Sequence, residues 1–154
     1  MAASAAAEIP AAFDPVVVRS PISLSERLFD LTPALERAQK LNKPLLIYLG
    51  ASDCPPCVEY TRFLENHVAD MKPVLAHFVV ADIRTWLRGP QAVFQMGSRR
   101  YSAAEFKALV GERGSVLAYP GWWLLSPDGK ALRALPQDER QYGSVERHRK
   151  ALGL

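Results

Sequence analysis

The chain has 154 residues, 49% of them hydrophobic and 23% charged, which fits a single globular domain with a sizeable core rather than a disordered or fibrous chain. Nineteen basic and 16 acidic side chains leave a net charge of +3, and no basic cluster is interleaved with aromatics, so nucleic acid is excluded as a partner class. No apolar run approaches the roughly 18 residues needed to span a bilayer.

Met1 to Ala7 is almost all alanine and lacks the basic and long apolar regions of a secretory leader. It reads as the start of a cytoplasmic protein or of a mature exported chain whose leader has been removed. Residues 1–14 are expected to form a flexible tail, and 15–154 a single domain. Val16, Val17 and Val18 are β-branched and suit a short edge strand before Pro21. Thr32-Pro33 is a helix start, with threonine as cap and proline in the first turn. Asn42 is the expected stop, ahead of Lys43-Pro44.

Leu45 to Leu49 is a continuous apolar run closed by Gly50, the pattern of a strand buried on both faces of a sheet. A helix is expected from Pro55 to about Ala69, with Tyr60, Phe63, Leu64, His67 and Val68 on one face. Phe78 to Ala81 reads as a second apolar strand, stopped near Asp82. Arg84 to Arg100 contains Gly89-Pro90 and Gly97 and reads as a connection with a short helix around Gln91 to Gln95. Ser102-Ala103-Ala104-Glu105 has the form of a capping box and opens a helix through Phe106, Leu109 and Val110. Gly121 to Leu125 is a strand, Ser126-Pro127-Asp128-Gly129 a turn, and Lys130 to Leu135 the returning arm of a hairpin. A last helix, Ser144 to about Leu152, ends in basic residues that suit the helix dipole. The order implies an α/β fold: a mixed central sheet, with a parallel βαβ half and an antiparallel hairpin, flanked by helices on both faces.

The only two cysteines form the motif Cys54-Pro55-Pro56-Cys57 between the buried strand and its helix. A disulfide scaffold uses more cysteines, spread to close long loops, and a structural zinc site needs four ligands. His67, His77 and His148 have no spacing that completes such a site, so the pair points to redox chemistry. At a helix N-terminus the dipole and free N–H groups favour a thiolate, the nucleophile of disulfide exchange. Pro55 and Pro56 lack N–H groups, which leaves the N–H of Cys57 as the nearby donor to the sulfur of Cys54. Cys54 is expected to attack a substrate disulfide, and the more buried Cys57 to resolve the mixed disulfide. The chemistry then needs no bound cofactor and no metal beyond the cysteine pair itself. Soft thiolates also suit Cu(I), so a copper-binding module on the same scaffold is the alternative from another class; neither Met nor His lies within motif distance.

The segments 45–57 and 119–130 resemble the thioredoxin superfamily, and the resemblance covers about residues 30 to 135. Within it the chain is most similar to bacterial periplasmic thioredoxin-like proteins that maintain the thiols of other exported proteins. The resemblance implies a thioredoxin fold and a monomeric thiol–disulfide oxidoreductase. It would act as a reductant on protein substrates, reloaded by an upstream thiol electron donor, with a disulfide-donating oxidant or an isomerase as alternatives. It further implies that Pro120 is a cis-proline beside the redox pair. Tyr119, Pro55, Pro56 and Asp53 would then share the substrate groove, Tyr119 through its backbone. Three positions depart from the family pattern. Asp53 replaces the usual Trp before the first cysteine, Tyr48 stands where a buried acid is usual, and Pro-Pro separates the cysteines. Glu59 reads as a solvated helix residue. Trp122 and Trp123 should face opposite sides of their strand, and Trp86 lies in the long connection, where it can flank the groove. The run Arg147-His148-Arg149-Lys150 reads as solvated basic surface.

Overall fold

The computed structural model describes residues 8–21 and 23–154. Its centre is a five-stranded sheet in the order β1-β4-β3-β7-β8, built from β1 (Val16–Arg19), β3 (Leu45–Ala51), β4 (Val79–Thr85), β7 (Gly121–Leu125) and β8 (Leu132–Ala134). β1 and β3 pair with β4 in parallel, while β3–β7 and β7–β8 are antiparallel. β3 is the middle strand and all seven of its residues are buried, as its unbroken apolar run requires. Its side chains alternate: Leu46 and Tyr48 join one core, Leu45, Ile47 and Leu49 the other.

The first core lies under α2 (Pro55–Asn66), α3 (Val68–Leu75) and α5 (Val145–Ala151), which contribute Tyr60, Leu64, Met71 and Val74 among others. The second lies under α1 (Thr32–Leu41) and α4 (Ala103–Leu109), which contribute Ala34, Ala38 and Phe106. Helices therefore cover both faces of a mixed sheet, and the fold is thioredoxin-like.

Several expectations are corrected. The connection 84–100 holds no helix around Gln91 to Gln95. β2 (Glu26–Asp30), β5 (Gln91–Met96) and β6 (Arg99–Ser102) form a second sheet in the order β2-β5-β6. Its Phe29 and Phe94 enter the α1–α4 core, where Phe94 stacks on Phe106 with ring centroids 4.1 Å apart. β4 does not stop at Asp82 but runs through it to Thr85. The carboxylate is tolerated inside the strand because Oδ2 accepts from the Ile9 N–H (3.0 Å) and from Arg84 Nε (2.9 Å).

Those bonds also correct the expected tail. Ile9 and Phe13 are buried in the α2–α3 core, around a 3₁₀ turn at Ala11–Phe13. The rest of the expected tail, residues 1–7, lies outside the described residues. The helix expected from Pro55 to Ala69 breaks at His67, whose φ of −131° is not helical. At α1, Leu31 takes the N-cap position and Thr32 the first turn, with the Thr32 N–H donating to Asp30 Oδ1. Asn42 stops that helix as expected, with φ of 51° in the left-handed region that asparagine tolerates. Both bonds of the Ser102–Glu105 capping box are present.

Gly50 is fixed by its neighbour. A Cβ there would fall 2.7 Å from Cε2 and 2.9 Å from Oη of Tyr48, whose ring is itself packed against Tyr60 at 5.0 Å. The ring has no free space to withdraw into, so Gly50→Ala is expected to destabilise the fold by about 2 kcal/mol through overpacking. Urea denaturation measures it as a lowered midpoint at unchanged m-value.

Candidate redox site

The redox pair sits where β3 ends and α2 begins. Cys54 is the N-cap of α2, with extended backbone (φ −114°, ψ 107°) and its carbonyl already accepting from the Val58 N–H at 3.1 Å. Pro55 and Pro56 fill the first turn, where missing N–H groups cost nothing. The first available donor is therefore Cys57, whose N–H reaches Cys54 Sγ at 3.3 Å, as the motif predicts. The helix cap is thus the sulfur itself, held by the Cys57 N–H at the positive end of the helix dipole.

Cys54 and Cys57 form a disulfide with Cα atoms 5.3 Å apart. Both cysteines are buried, Cys54 at 3% exposure slightly less than Cys57. Ala51, Val58 and Tyr119 pack around the pair. The Tyr119–Pro120 peptide bond is cis, Pro120 is buried and Tyr119 half-buried. Topology brings Tyr119 here: β7 runs antiparallel to β3 with Gly121 opposite Leu49, so the residues before β7 lie beside those after β3.

The remaining predicted positions are also at this end. Pro55 and Asp53 are exposed and Pro56 is half-buried. Asp53 Oδ1 accepts from the Leu87 N–H at 2.8 Å, which ties the residue before Cys54 to the segment after β4. Glu59 is exposed, as read. Trp86 is 62% exposed. Trp122 and Trp123 do face opposite sides, but both are buried in the cores and offer no surface.

Behind α2 lies a buried polar cluster that motif reasoning missed. Asp82 is opposite Tyr48 in the β3–β4 register, and burial raises its pKa, with Arg84 opposing. A buried acid therefore exists in this fold, on the strand beside the one where the family pattern places it. The pKa of Tyr48 is also raised well above normal by burial, and its hydroxyl has no partner among the described residues. His148 is fully buried, which corrects its assignment to solvated surface; its Nε2 lies 2.8 Å from Tyr60 Oη. Among the described residues, no third His, Cys, Asp or Glu joins the cysteines in a metal-holding group, and no helix is long and apolar enough to cross a membrane.

A family model described as thioredoxin-like matches residues 27–104, which include β3, the cysteine pair, α2 and β4. No curated protein and no solved structure matches the chain.

Proposed function

The chain belongs to the thioredoxin-like family, and on that premise we propose that it reduces disulfides of protein substrates, with Cys54 attacking and Cys57 resolving. The observation that carries this reading is the cap geometry: Cys54 occupies the N-cap of α2 and its sulfur accepts the Cys57 N–H. When the pair is reduced, the same N–H and helix dipole favour thiolate at Cys54.

The exchange runs in two balanced steps. Cys54 Sγ attacks one sulfur of the substrate disulfide; an S–S bond forms, the substrate S–S bond breaks, and the departing thiolate takes a proton. Cys57, as thiolate, then attacks Cys54 Sγ, closing the Cys54–Cys57 disulfide and releasing the second substrate thiol. Two electrons pass to the substrate, and an upstream dithiol donor restores the pair. Tyr119 and cis-Pro120 form the wall beside which the substrate backbone lies. The setting is an exported compartment such as the periplasm, where substrate disulfides form.

The reduction potential of the pair tests the direction. It is obtained by equilibration in dithiothreitol or glutathione buffers with mass-spectrometric counting of alkylated thiols. The expected value is near that of thioredoxin, about −270 mV; a value near about −120 mV would make the protein a disulfide donor instead.

A further inference from the structure

The end of the central sheet farthest from the cysteines is open. Pro44 precedes β3 and Cys54 follows it, so this seven-residue strand holds the two ends roughly 20 Å apart. At the Pro44 end, α3 stops at Leu75 and α5 at Ala151, and a cavity of about 510 Å³ lies against the last residues of β7. Its walls are mostly apolar and include Phe78, Leu124, Leu125, Pro127, Leu152 and Leu154.

Backbone bonds fix these walls. Gly153, at φ 78°, closes α5 in a Schellman cap: its N–H donates to the Lys150 carbonyl (3.0 Å) and the Leu154 N–H to the Arg149 carbonyl (2.9 Å). An apolar residue at the Leu154 position of such a cap commonly rests on the residue that Arg149 replaces here. Arg149 is charged and exposed, and Leu154 lines the cavity instead, 42% exposed. A second wall, the turn from Ser126 to Ala131, is held by the Ser126 N–H on the Ala131 carbonyl (2.8 Å) and the Gly129 N–H on the Ser126 carbonyl (2.9 Å). Lys43 Nζ donates to the Ala76 carbonyl at 2.8 Å and pins the turn that carries His77 and Phe78. The cavity is therefore preformed, with the size and the apolar lining of a small-molecule site.

Its polar side chains are His77, Ser126 and Arg133, and the lining contains neither Asp nor Glu. Arg133 is exposed and makes no ion pair among the described residues. Its Nη2 lies 3.8 Å from the point where a Cβ on Gly153 would stand, which puts the guanidinium beside the residue between Leu152 and Leu154.

We propose that this cavity binds a fatty acid, with the acyl chain along Phe78, Leu124, Leu152 and Leu154 and the carboxylate at Arg133. The unpaired cation and the absence of acidic side chains select an anionic head, and the apolar walls select the tail. A polypeptide suits the lining less well: each of its residues brings an N–H and a C=O that need partners, and three polar side chains supply few. The site lies at the other end of the molecule from the cysteines, so the proposal stands or falls separately from the oxidoreductase reading.

The test is isothermal titration of the full chain with octanoate, decanoate and dodecanoate, each below its micelle-forming concentration. One saturable site is expected, with affinity rising about tenfold for every two carbons added. 1-Decanol should bind about fivefold more weakly than decanoate, and Arg133→Ala should remove that difference. Leu154→Ser should weaken dodecanoate binding about tenfold. Both variants should keep the wild-type reduction potential of the Cys54–Cys57 pair, which shows that the fold is intact. Absence of saturable binding, or an affinity independent of chain length, would overturn the proposal. Equal binding of 1-decanol and decanoate by the wild-type protein would remove the carboxylate from it. A concentration-dependent dimer, seen by sedimentation and dissociated by Leu154→Ser, would assign this face to a second copy of the chain instead.

Discussion

Cys54→Ser is expected to abolish disulfide reduction, and Cys57→Ser to stop it one step later with the substrate still attached. The two outcomes differ because the two sulfurs occupy different places. Cys54 is the cap of α2, the position where a helix N-terminus favours a thiolate, whereas Cys57 lies fully buried in the first turn. A serine hydroxyl is not ionised at neutral pH. Turnover of a disulfide-bonded protein such as insulin should therefore fall on the order of a thousandfold or more in Cys54→Ser. In Cys57→Ser the first step remains possible but no thiolate attacks the mixed disulfide. Intact-mass measurement should then find the protein carrying one substrate chain, a mass removed by dithiothreitol. Undiminished turnover in Cys54→Ser would end the proposed mechanism, and accumulation of the adduct in that variant would reverse the two roles.

The redox end of the molecule was legible because its determinants are local. An apolar run long enough for a central strand, two prolines that fit only a first helical turn, and a cysteine at the cap position lie within 13 residues, 45–57. The Ser102 capping box and the Asn42 stop were readable for the same reason. The second sheet was not legible in that way. β2, Glu-Arg-Leu-Phe-Asp, has one fully buried residue and gains its strand state only by pairing with β5, 65 residues on in register. The apolar stretch Ala92-Val93-Phe94 in β5 is too short to separate helix from strand by period alone. One signal was present: Gly97-Ser98 between Met96 and Arg99 is a two-residue hairpin turn, with Gly97 at φ 64°. Asp82 reads as a stop because carboxylates are rare in strands. Arg84 is its near neighbour on the strand, but its second partner, the Ile9 N–H, is brought to it only when the N-terminal segment folds back over the sheet. His148 reads as solvated because its sequence neighbours Arg147, Arg149 and Lys150 are charged; the helix turns this residue inward against Tyr60 and Tyr142.

That buried histidine makes the fold sensitive to acid. His148 is flanked by the rings of Tyr60 (centroids 5.6 Å apart) and Tyr142 (5.0 Å), with Nε2 bonded to Tyr60 Oη and Nδ1 without a partner among the described residues. A proton would add a charge and a second N–H to a site that can pair only one, so burial lowers its pKa from 6.5 to about 4. Below pH 6.5 the unfolded chain therefore binds a proton that the folded chain refuses. Stability falls as pH drops through this window, until the folded state also protonates near pH 4. The loss should amount to about 3 kcal/mol across the window. Asp82 acts in the opposite sense: burial raises its pKa, so the folded state gains protons on acidification before the unfolded chain does, offsetting part of the loss. The pH dependence of the urea midpoint between pH 7 and 4 measures the sum. His148→Gln can still pair with Tyr60 but does not titrate; it should be less stable at pH 7 and lose most of the slope between pH 6.5 and 4. A variant that keeps the wild-type slope would show that other groups carry the acid sensitivity.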